Sequence, residues 1–344
     1  MDSIIKKTKI TVLMPVYNCE LYIKEAIDSI LNQTFLDFEF IIIDDASTDE
    51  TLSIIKSYHD NRIKLIEKPL NTGYTNSLNY GLSIAKGEYI ARMDGDDISF
   101  PERFEKQIDF LDKNLDVVVC GSFFKIIGTD KIYAVCESHE EIKLAMLQDC
   151  PMGHPTVMMR KKIFQEYNLI YDRSKEPAED YDLWTRLVFL GKLHNLQEVL
   201  LNYRMHNSQV SNKRNNEQKQ AAIEIKLNLL NHLNFEKNNE SRNVLKKIIQ
   251  RNVLDFKEMQ QFPDLKNKLI LANEISFFEE TGFEKYLLNL KNNIFKDYFL
   301  KREKYSPIIY FQYLKIKKEW KNKLVLFHEI KLFIKSMIYY KKIN

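Results

Sequence analysis

Long apolar runs are missing from this 344-residue chain: no stretch approaches the roughly 18 to 20 consecutive apolar residues that span a bilayer. The start, MDSIIKKTKITVLMPVY, lacks the basic, apolar, small-residue order of a secretory signal, because its apolar run reads as a strand leading into a polar turn. Cysteine is scarce too. Cys19, Cys120, Cys136 and Cys150 stand far apart with no CxxC spacing, which excludes a cysteine zinc site or redox pair and reads as reduced thiols. A cytoplasmic location is therefore expected. Internal repeats are absent, and neither sign of charge dominates, with 51 Lys and Arg against 48 Asp and Glu. What is present, 44% hydrophobic and 12% aromatic residues, is the composition of a packed interior large enough for one big domain or two ordinary ones.

The balanced charge conceals an asymmetry, since residues 1–209 carry 24 basic and 33 acidic side chains and residues 210–344 carry 27 and 15. The pattern divides in the same place. Up to about residue 125, short β-rich runs (ITVLMPV, FEFIIID, RIKLIEK, EYIARMD, DVVVCGSFF) alternate with amphipathic helical stretches, which predicts an α/β fold with a mostly parallel sheet. HPTVMMR and EVLLNYR add strands, and a helix is expected to start near AEDYDLW. Ser47, three residues before Glu50, predicts a capping box and a helix start. After Ser211 the chain turns rich in Lys, Asn and Leu at helical spacing, with NKRNNEQKQ read as a linker or helix start, giving expected domains of 1–211 and 212–344.

IARMDGDDIS, residues 90–99, concentrates the chemistry. Three aspartates in four positions repel one another unless a cation or a hydrated turn relieves them. On an extended segment Asp94 and Asp96 share a face, Gly95 permits a bend, and Asp97 points away. Paired carboxylates suit magnesium or manganese, which take oxygen ligands and share phosphates. The alternative is a solvated turn capping the helix of FPERFEKQ. Asp44 and Asp45 end another strand, so both acidic loops fall on the strand-end rim where open α/β sheets bind ligands; for them the alternative is a helix-cap cluster.

PVYN at 15–18, IIIDDAST, NTGYTNSLNYG, KGEYIARMDGDDISFPERFEKQ, EPAEDYDLW and YRMHNSQVS occur in the order found in family-two glycosyltransferases of the GT-A fold. The chain resembles a bacterial enzyme of that group, similar to those that build capsule, lipopolysaccharide or teichoic-acid glycans, over residues 8–211. The resemblance implies a nucleotide-diphospho-sugar transferase fold, Rossmann-like and mostly parallel, with an α-helical C-terminal extension. It also implies inverting transfer from a nucleotide-diphosphate sugar, usually a UDP-sugar, with bound Mn2+ or Mg2+.

Carried onto this chain, the resemblance sets Asp45 at the nucleotide base with Asp44 beside it, and Pro15, Val16, Tyr17 and Asn18 as the pocket wall. An acid there can accept a uracil N–H while the turn stacks on the ring. Asn71, Gly95 and Glu179 join the donor site, Arg92 and Arg204 supply charge-assisted donor contacts, and Asp94 approaches the ribose or the metal. Asp96 and His206 are implied at the metal, and Asp180 as the base that takes the acceptor's proton. Asp180 falls in the first turn of a predicted helix, whose dipole favours an ionised acid. In isolation it reads as an ordinary acidic first turn. His154 is expected to be structural.

The tail, residues 301–344, holds 12 basic and 3 acidic side chains interleaved with aliphatic and aromatic ones. Such helices suit peripheral contact with an anionic membrane or packing on another part of the protein, a second subunit included. The expected partners are the donor, a glycan or lipid-linked glycan acceptor and a homo-oligomer, with no nucleic acid because acids line the site. A nucleotidyltransferase acting on sugar phosphates is the rival enzyme class, but PVYNCELY is not the glycine-rich phosphate loop it would need. A non-catalytic nucleotide-sugar-binding protein is the other alternative.

Overall fold

The run Ile10–Val16, β1, is buried at every position, as a strand flanked on both sides and covered on both faces must be. The computed structural model of the chain describes residues 8–206, 209, 214–233 and 239–342. The expected boundary at Ser211, and part of YRMHNSQVS, lie outside them. Two compact units form, Met1–Ile225 and Lys226–Asn344.

In the first unit β1 pairs in parallel with β2 (Phe38–Asp44) and β4 (Tyr89–Arg92), and β2 with β3 (Ile63–Glu67). The connecting helices are α1 (Ile23–Leu31), α2 (Thr51–Lys56) and α3 (Tyr74–Ile84). α1 buries Ile23, Ala26, Ile27 and Ile30, the three-and-four spacing that puts one helical face on a sheet. Gly81 in α3 has a spacing reason: a Cβ there would lie 2.1 Å from Leu13 Cδ1.

Beyond β4 come β5 (Ile98–Ser99), α4 (Arg103–Lys113), β6 (Val117–Ile126), β7 (Ile132–Tyr133), α5 (His139–Ala145), β8 (Met158–Arg160), α6 (Lys161–Glu166), α7 (Glu179–Leu187) and β9 (Lys192–Tyr203). The sheet order is β3-β2-β1-β4-β8-β6-β9-β5, with β7 on β6. HPTVMMR contributes only its last residues as strand, and β8 runs antiparallel between β4 and β6, so the parallel direction resumes at β6 and β9. β2, β1 and β4 therefore run toward the same edge, with Asp44 in register with Val16 and Arg92 in register with Leu13, three residues short of the end of β1.

The capping box at Ser47 does not form. Ser47 Oγ accepts the Asn18 N–H at 3.0 Å, Glu50 N–H is taken by Glu20 Oε2, and α2 starts at Thr51 without a side-chain cap. Contacts between the two loops thus override the local motif. The aspartates of 94–97 do not cap α4 either, because Gln33 Oε1 receives the Phe104 N–H at 3.1 Å.

α8 (Asn215–Asn231) runs from the first unit into the second. The second unit is helical, with α9 (Asn239–Ile249), α10 (Phe256–Ala272), α11 (Glu280–Leu300), α12 (Pro307–Glu319) and α13 (Leu326–Met337). No described helix is long and apolar enough to cross a membrane.

One buried cation ties β4 to its surroundings. Arg103 is fully buried; its guanidinium donates to the carbonyls of Arg92 (2.8 Å) and Val157 (3.2 Å) and to Gln107 Oε1 (3.2 Å), and burial pushes it down to about 9. Arg103→Met keeps the length but strands these acceptors. With each buried unsatisfied group costing about 1–3 kcal/mol, the expected loss is about 3 kcal/mol. Scanning calorimetry should show the unfolding of the first unit falling by roughly 6–12 °C; an unchanged midpoint would show that the carbonyls find other donors.

Candidate active site

β4 ends at Arg92, and the chain then turns at Gly95 and Asp96. A Cβ on Gly95 would stand 2.8 Å from Val16 Cγ1, so the turn passes too close to β1 for any side chain. The bend breaks the extended alternation on which the sequence reading relied. Asp97 does not point away: one oxygen each from Asp94, Asp96 and Asp97 lie within 4.8 Å of one another. Asp97 is buried, its Oδ1 accepts the Arg204 N–H at 2.9 Å, and its Oδ2 has no partner. Burial, then the charges of Asp94 and Asp96, hold the Asp97 carboxyl well above the usual range; burial and Asp94 raise Asp96 too, against a lowering contact from His206. Three crowded oxygen donors with an orphaned buried oxygen among them fit a hard divalent cation.

Basic groups brace this turn. Arg92 pairs with Asp94 through Nη1 and is almost wholly buried. His206 Nε2 lies 2.8 Å from Asp96 Oδ2, its ring against Tyr22 at 4.9 Å. Arg204, expected at the donor, instead holds the turn: Nε donates to the Asp96 carbonyl at 2.8 Å, and the guanidinium pairs with Glu25 and lies over the Tyr22 ring. Tyr22 and Asp97 were not singled out from sequence; Asp97 was in view within DGDD, but Tyr22 carried no signal.

On the neighbouring strand end, Asp44 and Asp45 are both buried but differ in use. Asp45, expected at the base, has both oxygens engaged: Oδ1 receives Lys68 Nζ at 2.5 Å and the Thr72 N–H, Oδ2 the Gly73 N–H at 2.8 Å. It organises the loop containing Asn71, whose own Oδ1 accepts from Gly73. Asp44 Oδ2 accepts the Ser47 N–H at 3.2 Å, while its Oδ1 is buried and unpartnered. Pro15 and Val16 are the last, buried residues of β1. Tyr17 is exposed, and Asn18, at positive φ, stitches its turn to the next loop through Thr48. Lys68 lay in an unremarked strand end, which is why sequence reading passed over it.

The third acidic group opens α7. Tyr74 donates to Glu179 Oε2 at 2.7 Å, and burial followed by the Asp180 charge pushes Glu179 up to about 8. Burial raises Asp180 to about 6, held back by the Tyr181 N–H and the Arg92 charge. Both carboxyls are held above their usual range, Glu179 further than Asp180, so of the two Asp180 gives up its proton at the lower pH. Arg92 and Asp94 are both within electrostatic reach of Asp180, which joins this carboxylate to the triad. Arg214 pairs with Glu176 at 3.2 Å and Gln218 donates to the Pro177 carbonyl at 2.9 Å, so the first turns of α8 hold the segment leading into α7. His154 is half-buried, 2.9 Å from the Tyr171 hydroxyl, and desolvation and then the Arg92 charge hold it well below the usual imidazole value.

The sequence profile of Glycosyl transferase family 2 matches residues 11–168. The chain is 40% identical over 231 residues to an uncharacterized glycosyltransferase of Haemophilus influenzae, covering 63% of this chain and 72% of that one. It is 36% identical over 209 residues to the O-antigen biosynthesis glycosyltransferase WbnJ of Escherichia coli, covering 58% and 80%. Among solved structures, S. aureus TarS 1–349 in complex with UDP-GlcNAc has a similar fold, with a TM-score of 0.57 at 17% identity over 84% of this chain and 91% of that one.

The Tyr74 contact yields a signed expectation. The hydroxyl donates to the ionised form of Glu179, so Tyr74→Phe should move that carboxyl upward from about 8. In the wild type the folded chain keeps a proton on Glu179 that the unfolded chain releases near 4.5, so this group makes stability fall as pH rises from about 4.5 to about 8. A carboxyl-detected NMR titration of both proteins reads the shift; a downward move would mean the hydroxyl does not stabilise the carboxylate.

Proposed function

The chain belongs to glycosyl transferase family 2, and from that premise we propose that it is an inverting, divalent-metal-dependent enzyme. It moves a sugar from a UDP-sugar to a hydroxyl of a bacterial surface glycan or its lipid-linked precursor. The observation that carries this reading is the set of acids at neighbouring strand ends, an unpartnered acceptor on Asp44 and the convergent triad, with Asp180 of α7 within electrostatic reach of Arg92 and Asp94.

Asp44 Oδ1 is placed to accept an N–H from the nucleotide base, in the part first assigned to Asp45, and the exposed Tyr17 offers a ring face near it. Asp94, Asp96 and Asp97, with His206 on Asp96, would hold Mn2+ or Mg2+. Bound there, the ion neutralises charge that builds on the leaving diphosphate. Asp180 takes the proton of the acceptor hydroxyl as that oxygen bonds to the anomeric carbon. The bond from that carbon to the diphosphate oxygen breaks, its electron pair leaves with the diphosphate, and attack from the opposite face inverts the centre. Arg92 keeps Asp180 ionisable by partly offsetting its burial. The E. coli relative's part in O-antigen biosynthesis supports a surface glycan as product, and a cytoplasmic catalyst at the inner face of the membrane fits such an acceptor.

Two measurements test this. Asp180→Asn should lower kcat by about 10²–10⁴-fold while leaving UDP affinity intact, and wild-type activity should fall about tenfold per pH unit below about 6, where Asp180 takes up a proton. Full activity in the variant removes Asp180 from the reaction. Calorimetric titration should find UDP binding that requires Mn2+ and is lost in Asp96→Ala; metal-independent binding of equal strength in both proteins would overturn the metal assignment.

A further inference from the structure

α13 is apolar on two sides, and only one is covered. Leu332 and Ser336, one turn apart, are wholly buried and mark the side packed into the unit. At 3.6 residues per turn, Leu326, Phe327, Ile330, Phe333, Ile334 and Met337 fall on a separate arc roughly 120° wide, and they are between 38% and 73% exposed. A helix of a soluble domain buries one stripe and presents charge on the other; this one presents a second apolar stripe to solvent.

The neighbouring helix continues it. Tyr310 of α12 meets Phe333 edge-on at 5.0 Å, and Leu314, one turn along from Tyr310, is exposed with Phe311 and Ile308. Contiguous exposed apolar surface of this kind marks an interaction site rather than ordinary scatter.

Its fringe is of one sign. Lys331 and Lys335 follow the apolar arc along one margin of α13, and Lys318 and Lys321 lie at the end of α12 and just past it. Lys318, Lys321 and Lys331 form no ion pair among the described residues. The acids nearby are engaged elsewhere: Glu329 with Lys317 at 2.7 Å, and Glu319 with Lys315 at 3.8 Å. Burial and then the charges of Lys331 and Lys342 hold the Lys335 ammonium below its usual value, and it lies over the Tyr305 and Tyr340 rings at 4.9 and 4.6 Å.

An occupant must therefore be apolar in its middle and anionic around it. A two-fold copy of this chain would set the same lysines opposite themselves. An anionic bilayer meets both requirements, with acyl chains for the arc and phosphates for the lysines. We propose that α13, with the adjoining side of α12, seats the protein on an anionic lipid surface, lying in the headgroup boundary without crossing it. The purpose rests on the transferase reading, since such a seat brings the site to a lipid-linked acceptor; the binding itself does not.

The test uses the full chain, without donor or metal, sedimented with vesicles of phosphatidylcholine alone or mixed with phosphatidylglycerol. Wild type should pellet with the mixed vesicles at least ~10-fold more strongly than with the neutral ones, and salt should weaken it. Phe327→Glu/Ile330→Glu should abolish pelleting, and Lys318→Glu/Lys331→Glu should cut it about 10-fold or more, at about 1 kcal/mol per lysine removed, both with unchanged thermal midpoints. Equal pelleting with neutral and anionic vesicles, or none, overturns the proposal. So does a doubled mass in light scattering that the same substitutions halve without any vesicle binding, which would give the face to a second copy. Because no turnover is read, this result and that of the transfer experiments stand or fall separately.

Discussion

Arg92 is the charge that the acids at the end of β4 and the start of α7 share. It is the last residue of β4, nearly inaccessible, paired with Asp94 and fixed by backbone bonds to Val157 and Arg103. Its field lowers the carboxyls of Asp96, Asp97, Glu179 and Asp180 and discourages a proton on His154. One buried cation cannot neutralise five carboxylates. The fold therefore leaves a negative surplus at the end of β4, where Asp94, Asp96 and Asp97 converge, and such a surplus suits a divalent ion.

The same shortage explains why the two acids at the start of α7 differ. Both are desolvated, and desolvation favours the neutral acid. Glu179 has a hydroxyl donor in Tyr74 but lies beside Asp180, whereas Asp180 receives a backbone N–H and is aided by Arg92. Two adjacent carboxyls oppose each other's ionisation, and these contacts favour the charged form more at Asp180 than at Glu179.

What sequence could reveal was local. β1, β2 and α1 follow from apolar spacing, and DGDD from its crowding. The errors came where distant residues decide. Asp97 was turned inward because Gly95 packs on Val16, some eighty residues earlier in the chain, and bends the strand end. Ser47 lost its cap to Asn18, Arg204 was drawn from the donor to Glu25 and Asp96, and Tyr74 found Glu179, 105 residues away. β8 reversed direction between two parallel strands, which periodicity cannot express. Each element type was readable; each partner required the fold.

The division of charge along the chain gains a physical sense from these sites. Acids outnumber bases up to residue 209, and a surface of that sign is repelled by anionic headgroups. Attraction to such a surface has to come from the other part of the chain, where bases exceed acids. Charge alone would leave that attraction weak at physiological salt, because exposed charges are screened over about 8 Å. The uncovered arc of α13 supplies a term that salt does not screen. Cations to find the surface and apolar side chains to stay on it are complementary, and the second unit carries both.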